Sequence, residues 1–146
     1  MAPRAYPVHH QSILEGLMDL HEKNPSSRAE ADARLANYVP EGPTRLFLLK
    51  NLMRIAPDRL SLRPNIPVIQ QCIENVMEAL PEEHSYNGPA LFIRGENSDY
   101  VRPNDHPTIY AQFPDAQIHT IARAGHWLHA ENPMDFANEI QGFLGF

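Results

Sequence analysis

Three side chains of this sequence have the types and spacing for proton-transfer chemistry. Ser98 and Asp99 lie in Gly95-Glu-Asn-Ser-Asp-Tyr-Val101, and His126 lies in Ala124-Gly-His-Trp-Leu-His-Ala130. They offer a hydroxyl, a carboxylate and an imidazole, and the imidazole, with an unperturbed pKa of ~6.5, exchanges protons at neutral pH. Each group follows a short apolar segment, Ala90 to Arg94 and Gln117 to Ala122, bounded by punctuating residues. Such a segment is consistent with a buried parallel strand, and the stretch between the two is long enough for a crossover helix. In open α/β sheets the ligand site lies beyond the carboxyl ends of the strands. Ser98, Asp99 and His126 are therefore expected on one rim of one sheet.

His126 and His129 are three apart, a spacing that can ligate metal on a helix, and His9-His10 adds two more nitrogens. No partner cysteine or second spaced pair supports a site, so neither a metal nor a cofactor is expected. His9 and His10, being adjacent, point in different directions on a helix.

The elements that must position these groups follow from periodicity and punctuation. Apolar residues from His10 to His21 recur as on an amphipathic helix. Asn24-Pro-Ser-Ser27 breaks it, and Ser26 or Ser27, with Glu30, can cap a second helix running to about Tyr38. Pro43 suits the first turn of a third helix, Thr44 to Arg54, whose dense apolar group predicts burial. Ile55 to Pro67 reads as a proline-punctuated linker with a strand fragment at Leu60 to Leu62. A fourth helix runs from Pro67 to Leu80, and Cys72 in its apolar pattern reads as a buried, inert thiol. A helix from Pro107 to Phe113, with Asp105 as its cap, joins the two strands. Asn132-Pro133 starts the last helix, and Glu131 before it reads as a solvated or capping carboxylate. Four helices thus precede two strands, and two parallel strands do not make a stable core by themselves.

Composition narrows the function classes. The net charge is −6, and no Lys or Arg cluster offsets it, which excludes a phosphate-binding surface and nucleic acid as a partner. One cysteine rules out an internal disulfide framework. No apolar run approaches the ~20 residues of a membrane span, and the first residues lack the apolar core of a signal peptide. A soluble intracellular protein, cytoplasmic or mitochondrial, is the expectation. The 14 prolines among 146 residues, against a usual share of ~5%, predict short and sharply ended elements.

The segments Leu91-Phe-Ile-Arg-Gly95, Asn97-Ser-Asp-Tyr-Val101 and Ala124-Gly-His-Trp-Leu-His-Ala-Glu-Asn-Pro133 resemble the carboxyl half of the α/β-hydrolase superfamily. The closest resemblance is to small bacterial acyl esterases and their mitochondrial relatives. Phe47-Leu-Leu-Lys-Asn-Leu52 resembles part of that family's cap, and the resemblance runs from Ala2-Pro3 through the whole chain. It implies an α/β class: the carboxyl-terminal part of a hydrolase fold, with a helical cap, the last two parallel strands, flanking helices and an incomplete sheet. Residues 1–66 would be the cap and residues 67–146 the core segment.

The resemblance makes His126 the general base, with Gly125 letting its loop turn tightly. The superfamily's usual acid position falls on Ser98, with Asp99 one residue late. In these relatives the acid comes instead from an Asp-Ile-Ala-Pro segment, which Met1-Ala-Pro3 matches in part, so the acid is expected one residue before Met1. No serine stands in a Gly-x-Ser-x-Gly elbow, and an oxyanion-hole loop would precede that elbow. Trp127, Phe47, Leu48 and Met53 would border an acyl pocket, although an aromatic in Trp127's place more often simply packs, and a cap helix burying its own apolar face explains the other three at least as well. Two readings stay open. The chain supplies the histidine and cap of a serine acyl-ester hydrolase completed by an amino-terminal half, or it is a non-catalytic fragment whose exposed strand edge and cap helices bind another protein or nothing at all; the open edge itself predicts self-association, capture by a complementary hydrolase half, or low solubility.

Overall fold

The computed structural model describes residues 1–8 and 10–145, so His9 lies outside the described residues. Two units make up the chain, Pro7–Met77 and Met1–Tyr6 with Glu78–Phe146.

In the Pro7–Met77 unit, helix α1 (Gln11–Lys23) turns Leu14 and Leu20 inward, following its apolar period. Asn24 ends it in the left-handed region, φ 48°, and returns its N–H to the Leu20 carbonyl. Ser27 caps α2 (Arg28–Leu35), its hydroxyl accepting from the Glu30 N–H at 3.1 Å. The Glu30 carboxylate in turn accepts from the backbone N–H and the hydroxyl of Ser26, at 2.9 and 2.7 Å. These bonds hold the Glu30 carboxyl below its ordinary value. Helices α1 and α2 pack closely at Gly16, where a Cβ would come within 2.7 Å of Leu35, and Arg34 clamps Asp19 through two bonds of 2.8 Å. The second helix ends at Leu35, short of Tyr38, and the Asn37 side chain then bonds the Arg34 carbonyl at 3.0 Å.

Helix α3 (Gly42–Leu48) carries Pro43 in its first turn. It does not continue to Arg54 and is not largely buried. Leu49–Asn51 form a 3-10 turn, Leu52 swings to extended backbone, and β1 (Leu52–Ala56) pairs antiparallel with β2 (Arg59–Leu62). The expected linker therefore holds a hairpin, and Leu60 to Leu62 belong to its second strand. The cause is tertiary: Leu52, Leu60 and Leu62 bury together with Leu20, Leu35 and Leu49. That burial outweighs the helical spacing of the local sequence. Leu46, Phe47 and Met53 are left 67%, 45% and 40% exposed. Helix α4 (Ile66–Met77) buries its two ends and leaves Val68, Ile69 and Val76 exposed. It stops three residues short of Leu80, and Cys72 is a half-buried free thiol rather than a buried one.

In the other unit, β3 (Ala90–Gly95) and β4 (Ala116–Ile121) fall within one residue of expectation. They pair in parallel, from Ala90 opposite Ala116 to Gly95 opposite Ile121. The crossover helix α5 (His106–Gln112) covers one face. There Ile109 is fully buried near Val101 and Ala2, and Phe92 meets Phe113 edge-on with centroids 5.2 Å apart. The two-residue period of the strand sends Leu91 and Ile93 to the opposite face. With Phe136, Ile140 and Phe143 of α7 (Pro133–Leu144) they line an open apolar groove of about 430 Å³. Helix α7 starts at Asn132-Pro133 as predicted, the Asn132 side chain accepting from the Asp135 N–H. Asp105 precedes α5 but does not cap it: its carboxylate accepts from the Arg102 N–H at 2.8 Å and from the Arg4 guanidinium at 2.8 Å. Among the described residues, β3 has no strand partner on its other edge. No helix among them is long and apolar enough to cross a membrane.

Candidate active site at the strand ends

Strands β3 and β4 release two loops side by side, and backbone bonds tie the loops together. The Glu96 N–H donates to the Ile121 carbonyl and the Asn97 N–H to the Ala124 carbonyl, each at 2.9 Å. The Glu96 carboxylate accepts from the Arg123 N–H at 2.8 Å, which holds Arg123 in the left-handed region at φ 57°. The approach demands glycine at position 95, because a Cβ there would collide with the carbonyl oxygens of Gly125 and Ala124.

Ser98, 8% exposed, donates its N–H to the Gly95 carbonyl at 3.0 Å, and its hydroxyl accepts from the Tyr100 N–H at 3.4 Å. Its side chain thus shapes the turn. Asp99 directs its carboxylate to Arg102 at 3.2 Å and is 87% exposed. His126 sits in the loop between β4 and the short helix α6 (Leu128–Glu131), exposed, with its ring against that of Tyr100 at a centroid distance of 4.2 Å. Trp127 is half-buried, and its carbonyl accepts from the N–H groups of Ala130 and Glu131. Glu131, read as solvated or as a cap, instead closes the histidine loop by accepting from the Gly125 N–H. His129 is exposed, its ring 6.1 Å from that of Phe136. No group of three or more His, Cys, Asp or Glu among the described residues could hold a metal ion.

Phe47, Leu48 and Met53 belong to the Pro7–Met77 unit. Phe47 stands beside the Lys50 ammonium, 5.9 Å from its ring centre. Leu48 packs on that unit's core, and Met53 is on β1.

The Met1–Tyr6 segment, singled out in the sequence only through the partial match of Met1-Ala-Pro3, packs beside these loops. Tyr6 donates its hydroxyl proton to the Tyr100 carbonyl, which also accepts from the Ala2 N–H at 3.3 Å. The Ala2 N–H reaches the Tyr6 hydroxyl as well, at 2.7 Å. Arg4 lies over the Tyr6 ring at 4.0 Å, pairs with Asp105 at 2.8 Å and donates to the Asp99 carbonyl at 3.2 Å. Burial pushes the Tyr6 hydroxyl pKa up, against the opposing pull of the Ala2 N–H and Arg4. No local sequence signal marks the contacts with Asp99, Tyr100 and Asp105, which join residues more than 90 positions apart.

No family model matches the chain. Among curated proteins it is 40% identical over 129 residues to the mouse sn-1-specific diacylglycerol lipase ABHD11, which covers 87% of this chain and 42% of that protein. It is 33% identical to the esterase YbfF of Escherichia coli, across 99% of this chain and 55% of the esterase. A solved marine microorganism esterase superposes on 98% of this chain with a TM-score of 0.88 and 35% identity, over 57% of its own length. The chain therefore spans about half the length of the relatives it matches. Helices flanking a small parallel sheet, sequence likeness across nearly every residue and a close structural match all lead to one assignment: this chain belongs to the α/β-hydrolase superfamily.

Proposed function

We propose that this chain supplies the general base, His126, and the helical cap of a hydrolase acting on small acyl esters. In this reading the nucleophilic serine and the oxyanion hole come from polypeptide outside these 146 residues. The observation that carries the reading is the seat of His126: a loop at the end of β4, tied to the β3 loop by backbone bonds, in a chain similar to esterases and a lipase. An imidazole there takes the proton of a serine hydroxyl as it attacks the ester carbonyl and returns it to the departing alcohol. In the same reading the carboxylate that orients His126 is supplied, like the serine, by polypeptide outside these 146 residues. Docking of Ala2 on Tyr100, whose ring lies on His126, supports this. Ser98 and Asp99 then serve the loop, through the Tyr100 N–H and Arg102 respectively. Trp127, beside His126 in its loop, is the residue of this unit assigned to border the acyl group, and Phe47, Leu48 and Met53 are the residues of the cap assigned to contact substrate.

The test joins this chain to a hydrolase amino-terminal half carrying Gly-x-Ser-x-Gly and follows cleavage of a short activated ester. His126→Ala is expected to lower kcat by at least about 10³-fold, and His129→Ala by only a few-fold. Equal losses would remove His126 from the role. The 146-residue chain alone is expected to turn over ester at background rate, and stoichiometric labelling of one of its serines by a phosphonate would refute the division of labour.

One observation favours a second reading, in which the chain is a non-catalytic interaction module. The free edge of β3 and the apolar groove beside it form a surface suited to another strand, either from a complementary hydrolase half or from a second copy.

A further inference from the structure

His126 is exposed on a loop, yet a general base works only when its ring is held in one orientation. We propose that Tyr100 is the positioning residue for His126, and that the Met1–Tyr6 segment is a strap that fixes Tyr100. The Tyr100 ring lies 4.2 Å from the imidazole at an interplanar angle of 33°. A ring contact of this kind restrains rotation of the imidazole.

Tyr100 is itself held on two sides. Its carbonyl accepts from the Tyr6 hydroxyl and the Ala2 N–H, and its ring lies 5.9 Å from the Tyr6 ring. The Arg4 guanidinium covers the Tyr6 ring at 4.0 Å and is pinned by Asp105. Four planar groups, Arg4, Tyr6, Tyr100 and His126, thus contact one another in succession. At one end an ion pair anchors the series; at the other is the base. Ser98 contributes by accepting the Tyr100 N–H. The role of Tyr100 in catalysis rests on the general-base reading of His126, whereas its hold on the ring does not.

The test begins with the ring-proton resonances of His126 in the 146-residue chain. The ring current of Tyr100 displaces them. Tyr100→Leu is expected to abolish the displacement, Tyr100→Phe to keep it, and Tyr6→Phe, which removes one of the two donors to the Tyr100 carbonyl, to reduce it. In the completed hydrolase, Tyr100→Leu is expected to lower kcat up to about 100-fold with KM unchanged, the loss that a misplacement of ~1 Å brings. Tyr100→Phe is expected to restore kcat. Resonances unmoved by Tyr100→Leu, or wild-type kcat in that variant, would overturn the proposal. Full turnover in His126→Ala would instead defeat the general-base reading and with it the catalytic part of this one, and the resonances alone would then decide the positioning.

Discussion

Substituting Gly95→Ala puts a methyl group where the β3 and β4 loops meet. The new Cβ would overlap the carbonyl oxygens of Gly125 and Ala124, and both are backbone atoms that cannot turn aside as a flexible side chain would. Relief requires the two loops to separate, which stretches the bonds from Glu96 to Ile121, from Asn97 to Ala124 and from Arg123 to Glu96. Overpacking costs about 1–3 kcal/mol, and each neutral bond lost adds ~1 kcal/mol. With one such bond lost outright and the others only lengthened, a loss of about 2–4 kcal/mol is expected. Gly142→Ala in α7 is the matched control: nothing lies within 4 Å of its added Cβ, and alanine stabilises a helix interior by about 0.5–1 kcal/mol over glycine. Urea unfolding followed by far-ultraviolet circular dichroism measures both. If Gly95→Ala leaves too little folded protein, the measurement is made in the Gly142→Ala background. A Gly95→Ala variant within about 0.5 kcal/mol of its parent would show that the two loops are not locked as described.

Two further outcomes follow from other parts of the chain. The Glu30 carboxyl is held below its ordinary value of 4.5 by the Ser26 N–H and hydroxyl. Its contribution is therefore complete above that ordinary value and is lost as pH falls through the lowered one. Glu30→Gln should lower the urea midpoint at about pH 6 and match the parent at about pH 2, and a constant offset across that range would contradict the assignment. The unpaired edge of β3 should make the chain self-associate at micromolar concentration, with alternate amides along Leu91 to Arg94 exchanging fast in the monomer. A stable monomer with every one of those amides protected would mean that the edge is covered.

The parts of the fold that were legible carry their information locally. The β3 and β4 runs are short, apolar and bounded by Gly, Pro and Asp, and Asn132-Pro133 marks a helix start through its own cap chemistry. Ser27 and Glu30 announced α2 in the same way. The hairpin β1–β2 was not legible, because Leu46 to Met53 satisfies a helical spacing and the decision is made by Leu60 and Leu62 arriving from further along. Cys72 is half-buried rather than buried because a helix with an apolar stripe need not have that stripe covered. At the site, the rim position of His126 followed from the strand pattern. Its contact with Tyr100 did not, because it depends on how two separate loops bend toward each other. The roles of Arg4 and Tyr6 depend on partners about a hundred positions away and leave no periodic trace.

That separation also imposes an order on the folding of the nascent chain. Arg4 leaves the ribosome 101 residues ahead of Asp105, and Tyr6 leaves 94 ahead of Tyr100. The whole Pro7–Met77 unit is synthesised in between and has all of its core residues in hand while the first six residues still lack their partners. Closing so long a loop is slow compared with forming the helix pair or the hairpin, although each doubling of loop length adds only ~0.6 kcal/mol of entropy. The Met1–Tyr6 segment therefore docks only after β3 and its loop exist, and the ring contact on His126 becomes secure only when these two stretches, made far apart in time, have met.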